Sequence, residues 1–376
     1  MKAQTIQMLS NAGVFGPVVV IPIILADEGI FGVSKDVIGL IAGAFAAAGF
    51  VSSYLFGRWS DIHGRRKVLL LGLILTGVAG LVQVVTMLWG GILFFASVRI
   101  ILGFCAGMFP AALLAYAHDT SGKRMGRFAA WGSAGWGVGN LSVGLFGTFY
   151  EGAFLLSAAF LFVSFAIALS LPFAKEVRMT VPFFPAALIR RNAPVYLAML
   201  IRHTGANMIW VTYPLFLASL GAEAYWIGVI YAVNAFGQVF FMTVSDRYDS
   251  ALLIAIGLAG SAVTFYTFTL AGSFWEIIPS QVLLAAAWSC LYAGSLRYVL
   301  EKNEEKATAS GLLSSTMSIS GIVGPVLGGV SATAIGFVGT IYAAMAMSVL
   351  ALIIFVYELS RSGEFYRVRS HLRRAP

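Results

Sequence analysis

The stretch G-R-W-S-D-I-H-G-R-R-K, Gly57 to Lys67, lies between two long apolar segments of a chain that is only 11% charged. A short loop this rich in cations, set between hydrophobic spans, belongs on the cytoplasmic side of a membrane. Gly57 and Gly64 permit a sharp turn there. The flanking segments carry the argument outward, because each is about as long as the roughly 20 apolar residues a bilayer-crossing helix needs.

The 376 residues are 59% hydrophobic, with a mean hydropathy of +0.89. Soluble domains run near half apolar and about a quarter charged, so lipid is the main solvent expected here. Apolar segments fall at 6–26, 37–57, 67–88, 92–117, 126–148, 153–173, 194–219, 225–244, 251–270, 275–299, 308–333 and 337–357. An all-α integral membrane protein with twelve transmembrane helices follows, with both termini on one side. The start of the chain runs into an apolar stretch without a small-residue cleavage site, which reads as an uncleaved anchor.

The net charge of +8 raises nucleic acid as a partner, but its distribution argues against one. All 24 basic residues except Lys35, Arg99 and Arg202 fall in segments that twelve spans place on one face. The opposite loops carry Asp27, Glu28, Asp36, Glu151, Glu223 and Glu276. That asymmetry is the positive-inside pattern, and it predicts a cytoplasmic-membrane protein with both termini in the cytoplasm. Cys105 and Cys290 lie within apolar stretches, without disulfide or metal spacing. There is no phosphate-binding Gly-Lys-Ser/Thr loop, so neither ATP hydrolysis nor any other cofactor is expected. A monomer is expected.

The longest internal loop, 174–193, divides the chain near its midpoint, and the halves repeat. Arg99–Gly147 aligns without gaps to Gln281–Gly329; Asp119 meets Glu301, Arg124 meets Lys306, and Gly139 meets Gly321. Ser60-Asp61 likewise matches Ser245-Asp246. The expected organisation is an N-terminal six-helix bundle over 1–173, a cytoplasmic linker over 174–193, a C-terminal six-helix bundle over 194–357, and a basic cytoplasmic tail over 358–376.

At this point the chain resembles the major facilitator superfamily of secondary transporters over essentially its whole length. Gly57, Asp61, Gly64, Arg65 and Arg66 match the family's G-x-x-x-D-x-x-G-R-[RK] loop, and Arg99 with Gly103 matches its R-x-x-x-G pattern in span four. Gly324, Pro325, Gly328 and Gly329 resemble the G-P-x-x-G-G pattern of the drug-antiporter branch, whereas span five has Gly139-Asn140 and no proline. The resemblance implies two bundles related by pseudo-two-fold symmetry that rock about a central site. It also implies a cytoplasmic gate in which Asp61 faces the start of span eleven and Arg65 pairs with Asp119. An acid beside a helix N-terminus is attracted by its partial positive charge. Pro325 removes a backbone hydrogen bond and permits a bend in span eleven.

Polar groups inside spans mark pathways. Arg99 sits inside span four with no acid near it in sequence. His203, Asn207, Trp210 and Pro214 share one helical face of span seven, while Arg202 is near enough to the membrane surface to snorkel. Asn234 and Gln238 of span eight, Trp136 and Asn140 of span five, and Gln281, Trp288 and Tyr292 of span ten complete a hydrogen-bonding, aromatic lining. Each also has a plainer reading: Arg99 as a backbone donor, His203 as a structural donor, the tryptophans as packing. The expected solute is a small organic molecule, with an anion or zwitterion favoured by the two arginines, and a sugar also suiting the amides and rings. Protons would supply the coupling, with export favoured over import. Clustered carboxylates, a Ser/His/Asp arrangement and H-E-x-x-H are all missing, which speaks against an enzyme. A transporter-shaped sensor is the alternative of a different class, and an uncoupled facilitator or importer the alternative of the same class.

Overall fold

Gly64 alone makes the turn expected of the whole Gly57–Lys67 loop. The computed structural model describes residues 1–121, 125–172, 186–245, 248–303 and 306–361. In it α1 spans Lys2–Ala26, bent where Gly16–Val19 tighten into a 3₁₀ turn. Helix α2, Lys35–His63, then runs straight through Gly57, and α3, Arg65–Trp89, follows Gly64 directly. Gly64 has φ +104°, which side chains disfavour. Gly57 is therefore helical and makes no turn; a β-carbon there would meet Ala111 at an ordinary 3.7 Å.

Helix α4 covers 92–121, interrupted at Phe109 ahead of Pro110. Helices α5 (Met125–Gly144) and α6 (Tyr150–Leu169) complete the first half. The expected linker contains a short helix, Ala186–Arg191; Lys175 and Arg178 lie outside the described residues. Helix α7 covers 193–219 and breaks after Trp210, so Pro214 opens a second piece, Tyr213–Ser219, and leaves the face of His203, Asn207 and Trp210. Then come α8 (Ala224–Ser245), α9 (Ser250–Thr269) and α10 (Phe274–Lys302). Asp249 caps α9, accepting from the amides of Ala251 and Leu252 at 3.0 Å. Lys306–Arg361 holds α11 and α12, divided at Gly336, whose φ of +73° and ψ of −179° are essentially glycine's alone. Pro325 lies inside α11, where it donates no backbone hydrogen bond, and the non-helical dihedrals of the run fall at Gly336.

Among the described residues, nine helices are long and apolar enough to cross a membrane. The other expected spans are the glycine-rich α5, the interrupted α7, and the second helix within the continuous Lys306–Arg361 run.

The bundles α1–α6 and α7–α12 meet along two seams, α2 with α11 and α5 with α8. Both seams are backbone contacts over glycine. A β-carbon on Gly39 would stand 3.0 Å from Gly329 Cα and nearer still to the Pro325 carbonyl oxygen. One on Gly228 would stand 3.2 Å from Gly144 Cα and 2.6 Å from the Asn140 carbonyl oxygen. The same contact is thus made twice. It pairs Gly144 with Gly329, whereas the ungapped sequence repeat pairs Gly147 with Gly329.

The seams seal one end of the molecule. Let the terminal face be the one from which α1 starts, and the far face its opposite. One apolar cluster, including Val20, Ile24, Phe95, Phe154, Tyr213, Phe216, Tyr231 and Phe268, joins both bundles on the far side. Toward the terminal face each bundle keeps its own cluster, around Leu69, Phe109 and Leu161 in one and Val195, Leu258 and Phe355 in the other. The face of α11 that presents Ile322, Pro325 and Gly329 to α2 continues as Ser318, Ser314 and Gly311, all exposed. Among the described residues, no apolar cluster joins the bundles below the seam.

Candidate functional site

The polar residues of the interior fall into three groups. The first is a stack in the C-terminal bundle. His203 lies on Trp288 with centroids 5.0 Å apart and planes 20° from parallel, and Trp288 lies on Tyr292 at 5.6 Å and 20°. Residues 288 and 292 are one turn apart on α10, which places the two rings in register. Arg202 does not snorkel: it is 2% exposed, its Nε donates to Ser261 Oγ of α9 at 2.9 Å, and its guanidinium lies 5.1 Å from the Trp288 ring. The arginine fixes the tryptophan from one side and the histidine stacks beside it. His203 Nδ1 is buried without a hydrogen-bond partner.

The second group is a chain of hydrogen bonds across α7, α8 and α10. Gln238 Nε2 donates to Asn234 Oδ1 at 2.6 Å, Asn234 Nδ2 to the Gln281 carbonyl at 3.2 Å, and Gln281 Nε2 to the Tyr213 hydroxyl at 2.5 Å. Asn234 and Gln238 are thus engaged with each other and with α10, while Gln281 Oε1 is left buried without a partner.

The third group joins the bundles. Trp136 of α5 meets Trp210 edge-on at 6.2 Å and Tyr231 at 5.6 Å, and both of those touch Tyr213. Asn140 is fully buried one turn beyond Trp136; its Nδ2 donates to the Trp136 carbonyl at 2.7 Å, leaving Oδ1 without a partner. The Tyr231 hydroxyl is likewise buried and unsatisfied. Tyr213, whose position just before Pro214 is its only mark in the sequence, turns out to link the second and third groups.

Two expected residues stand apart. Arg99 is 6% exposed and lies 4.4 Å from the Phe45 ring of α2; among the described residues it has neither a carboxylate nor a hydrogen-bond acceptor. Nothing described brings it to the α7–α10 groups. Asn207 folds back, its Nδ2 donating to the His203 carbonyl at 2.9 Å, and its Cβ packs where Gly324 leaves room. Among the described residues, no carboxylate residue is buried, and no His, Cys, Asp and Glu group could hold a metal.

Of the expected gate, Arg66 donates to the Leu169 carbonyl of α6 at 3.0 Å. The side chains of Asp61 and Asp119 lie outside the described residues, so neither their approach to α11 nor a pair with Arg65 is described.

The family model described as Major Facilitator Superfamily matches residues 5–187 and 195–369. Multidrug resistance protein 2 of Bacillus subtilis (strain 168) is 24% identical over 364 residues, 88% of each chain. Protein Zinc Induced Facilitator 1 of Arabidopsis thaliana is 32% identical over 113 residues, 29% of this chain and 23% of that protein. The crystal structure of the nucleoside transporter NupG superposes with a TM-score of 0.74 at 11% identity, over 96% of this chain and 98% of that one. A mutant form of the same transporter gives 0.78 at 13%, over 95% and 98%.

Proposed function

The chain belongs to the major facilitator superfamily of membrane transporters, and we propose that it exports a small organic solute by alternating access, driven by protons. The carrying observation is the asymmetry of the bundle contact among the described residues: glycine seams and aromatic rings join the bundles on the far side, and separate apolar clusters serve each bundle on the terminal side. With the positive-inside orientation this is the inward-open state, ready to load solute from the cytoplasm. The glycines and charges of Gly57–Arg66 then form the gate that closes in the opposite state, with Asp61, Arg65 and Asp119 as its charged members and Gly324 and Pro325 on the helix it meets.

The solute's class follows from what the interior offers. Arg99 and Arg202 are buried cations without a carboxylate partner among the described residues, and buried charge is costly unless compensated. His203 Nδ1, Asn140 Oδ1, the Tyr231 hydroxyl and Gln281 Oε1 await hydrogen bonds. An anionic or zwitterionic solute with a flat portion suits the α7–α10 groups, the flat part lying on the Trp288–Tyr292 rings, with Arg99 a separate cation in the other bundle. His203 is the proton carrier in this reading. Likeness to a multidrug resistance protein over most of both chains supports export.

The test is a transport screen in proteoliposomes with anionic, neutral and cationic solutes, with and without a pH gradient. Gradient-driven movement of anions or zwitterions is expected; movement of cations alone would sink the charge assignment. Movement that ignores the pH gradient would point to an uncoupled facilitator, the second reading, favoured because no carboxylate residue is buried among the described residues. Binding without movement would point to a sensor.

A further inference from the structure

Lys35 is the one basic residue that the charge pattern leaves in a far-side loop, and its surroundings give it a use. It opens α2 in the N-terminal bundle, yet its Nζ reaches the C-terminal bundle. It lies 4.1 Å from the centroid of Phe337, the first residue of α12, and 3.5 Å from the Ala332 carbonyl oxygen near the end of α11. Ala332 is 1% exposed and sits in the last turn before the break at Gly336. The carbonyls near the C-terminal end of a helix carry the negative end of its dipole. Phe337 is itself packed on Phe216 of α7, ring centroids 6.2 Å apart, within the far-side seal. The backbone of Lys35 joins the same seam, since a β-carbon on Gly329 would strike its carbonyl oxygen.

We infer that Lys35 is a far-face clasp of the transport cycle, holding α2 to the C-terminal ends of α11 and the start of α12 while the terminal side is open, and releasing them when the far side opens. This rests on the alternating-access reading. The neighbouring Asp36 is the other charged group on this end of α2. The cation contacts a ring and a helix end of the other bundle, and both contacts exist only while the bundles touch. Their combined strength sets a shift of roughly ten-fold in the ratio of the two states.

The experiment uses the full chain in nanodiscs with Cys105 and Cys290 replaced by serine. Spin labels go on Glu28→Cys, between α1 and α2, and Glu223→Cys, between α7 and α8, both exposed far-side positions. Lys35→Met is expected to raise the long-distance, far-side-open fraction about ten-fold. Lys35→Arg keeps the cation and should match the parent, and Phe337→Leu should shift part of the way. The arginine arm separates a charge contact from loss of folding, which would affect both variants. If the parent samples two distances and Lys35→Met leaves their ratio unchanged, the clasp is wrong and alternating access stands. A single distance in the parent, invariant to solute and pH gradient, overturns both.

Discussion

Arg99 is a charge held where water does not reach, with an aromatic ring as its described contact. Removing such a group relieves desolvation and leaves no buried partner stranded. Arg99→Met is therefore expected to stabilise the fold, on the order of 1–4 kcal/mol, while reducing transport of anions severely. Thermal unfolding and proteoliposome flux measured on the same preparation test both halves. Arg202 differs because it has a bond to lose: without it Ser261 Oγ keeps only its donation to the Gly257 carbonyl, and Trp288 loses the cation beside its ring. Arg202→Met should lower stability and weaken solute binding together. For His203, substitution by glutamine removes the titrating group in a stack that a planar amide can partly keep. Flux through His203→Gln should lose its dependence on the pH gradient; a retained pH profile excludes the residue as proton carrier.

At the level of helices, the seams make a paired prediction. Gly39→Ala places a methyl against the backbone of α11 and should cost about 1–3 kcal/mol by overpacking. Gly321→Ala, two turns nearer the terminal face on α11 with nothing within 4 Å, should be neutral or gain up to about 1 kcal/mol of helix propensity. Unfolding midpoints of the two proteins check the contrast. The spans themselves were legible because a length of about 20 apolar residues is a local property. So were the amides of α8 and the rings of α10, since helical spacing alone puts them on one face. What was illegible depends on distant partners. Arg202 looks close to a surface until Ser261 on another helix is known. Lys35 looks like an exception to the charge rule until Phe337, some three hundred residues away, is placed. Gly57 differs from the expected turn for another reason: glycine weakens an isolated helix, but here neighbouring helices keep its backbone helical. The repeat's register differs between sequence and structure because an ungapped alignment holds one offset throughout, whereas the seams pair Gly144 with Gly329.

For the molecule as a whole, the open side should be chemically reachable. Ser314→Cys and Ser318→Cys on α11 are exposed below the seam, so a membrane-impermeant maleimide should label them in inverted vesicles and spare them in intact cells. Labelling in intact cells instead would reverse the orientation drawn from the basic loops. The far-end position of the Gly39–Gly329 contact has a mechanical consequence. Lys306, where α11 begins, lies roughly 35 Å along the helix from Gly329 at 1.5 Å per residue. A fulcrum so near one end makes α11 a long lever. A rigid rotation of about 15°, a size known for domains moving as bodies, would sweep the terminal end through roughly 9 Å, while the glycine contact slides by little more than an atom's width. In the proposed cycle, small backbone atoms at the pivot would let the bundles roll without prying apart, gearing a large displacement at the terminal side to a small one at the seal.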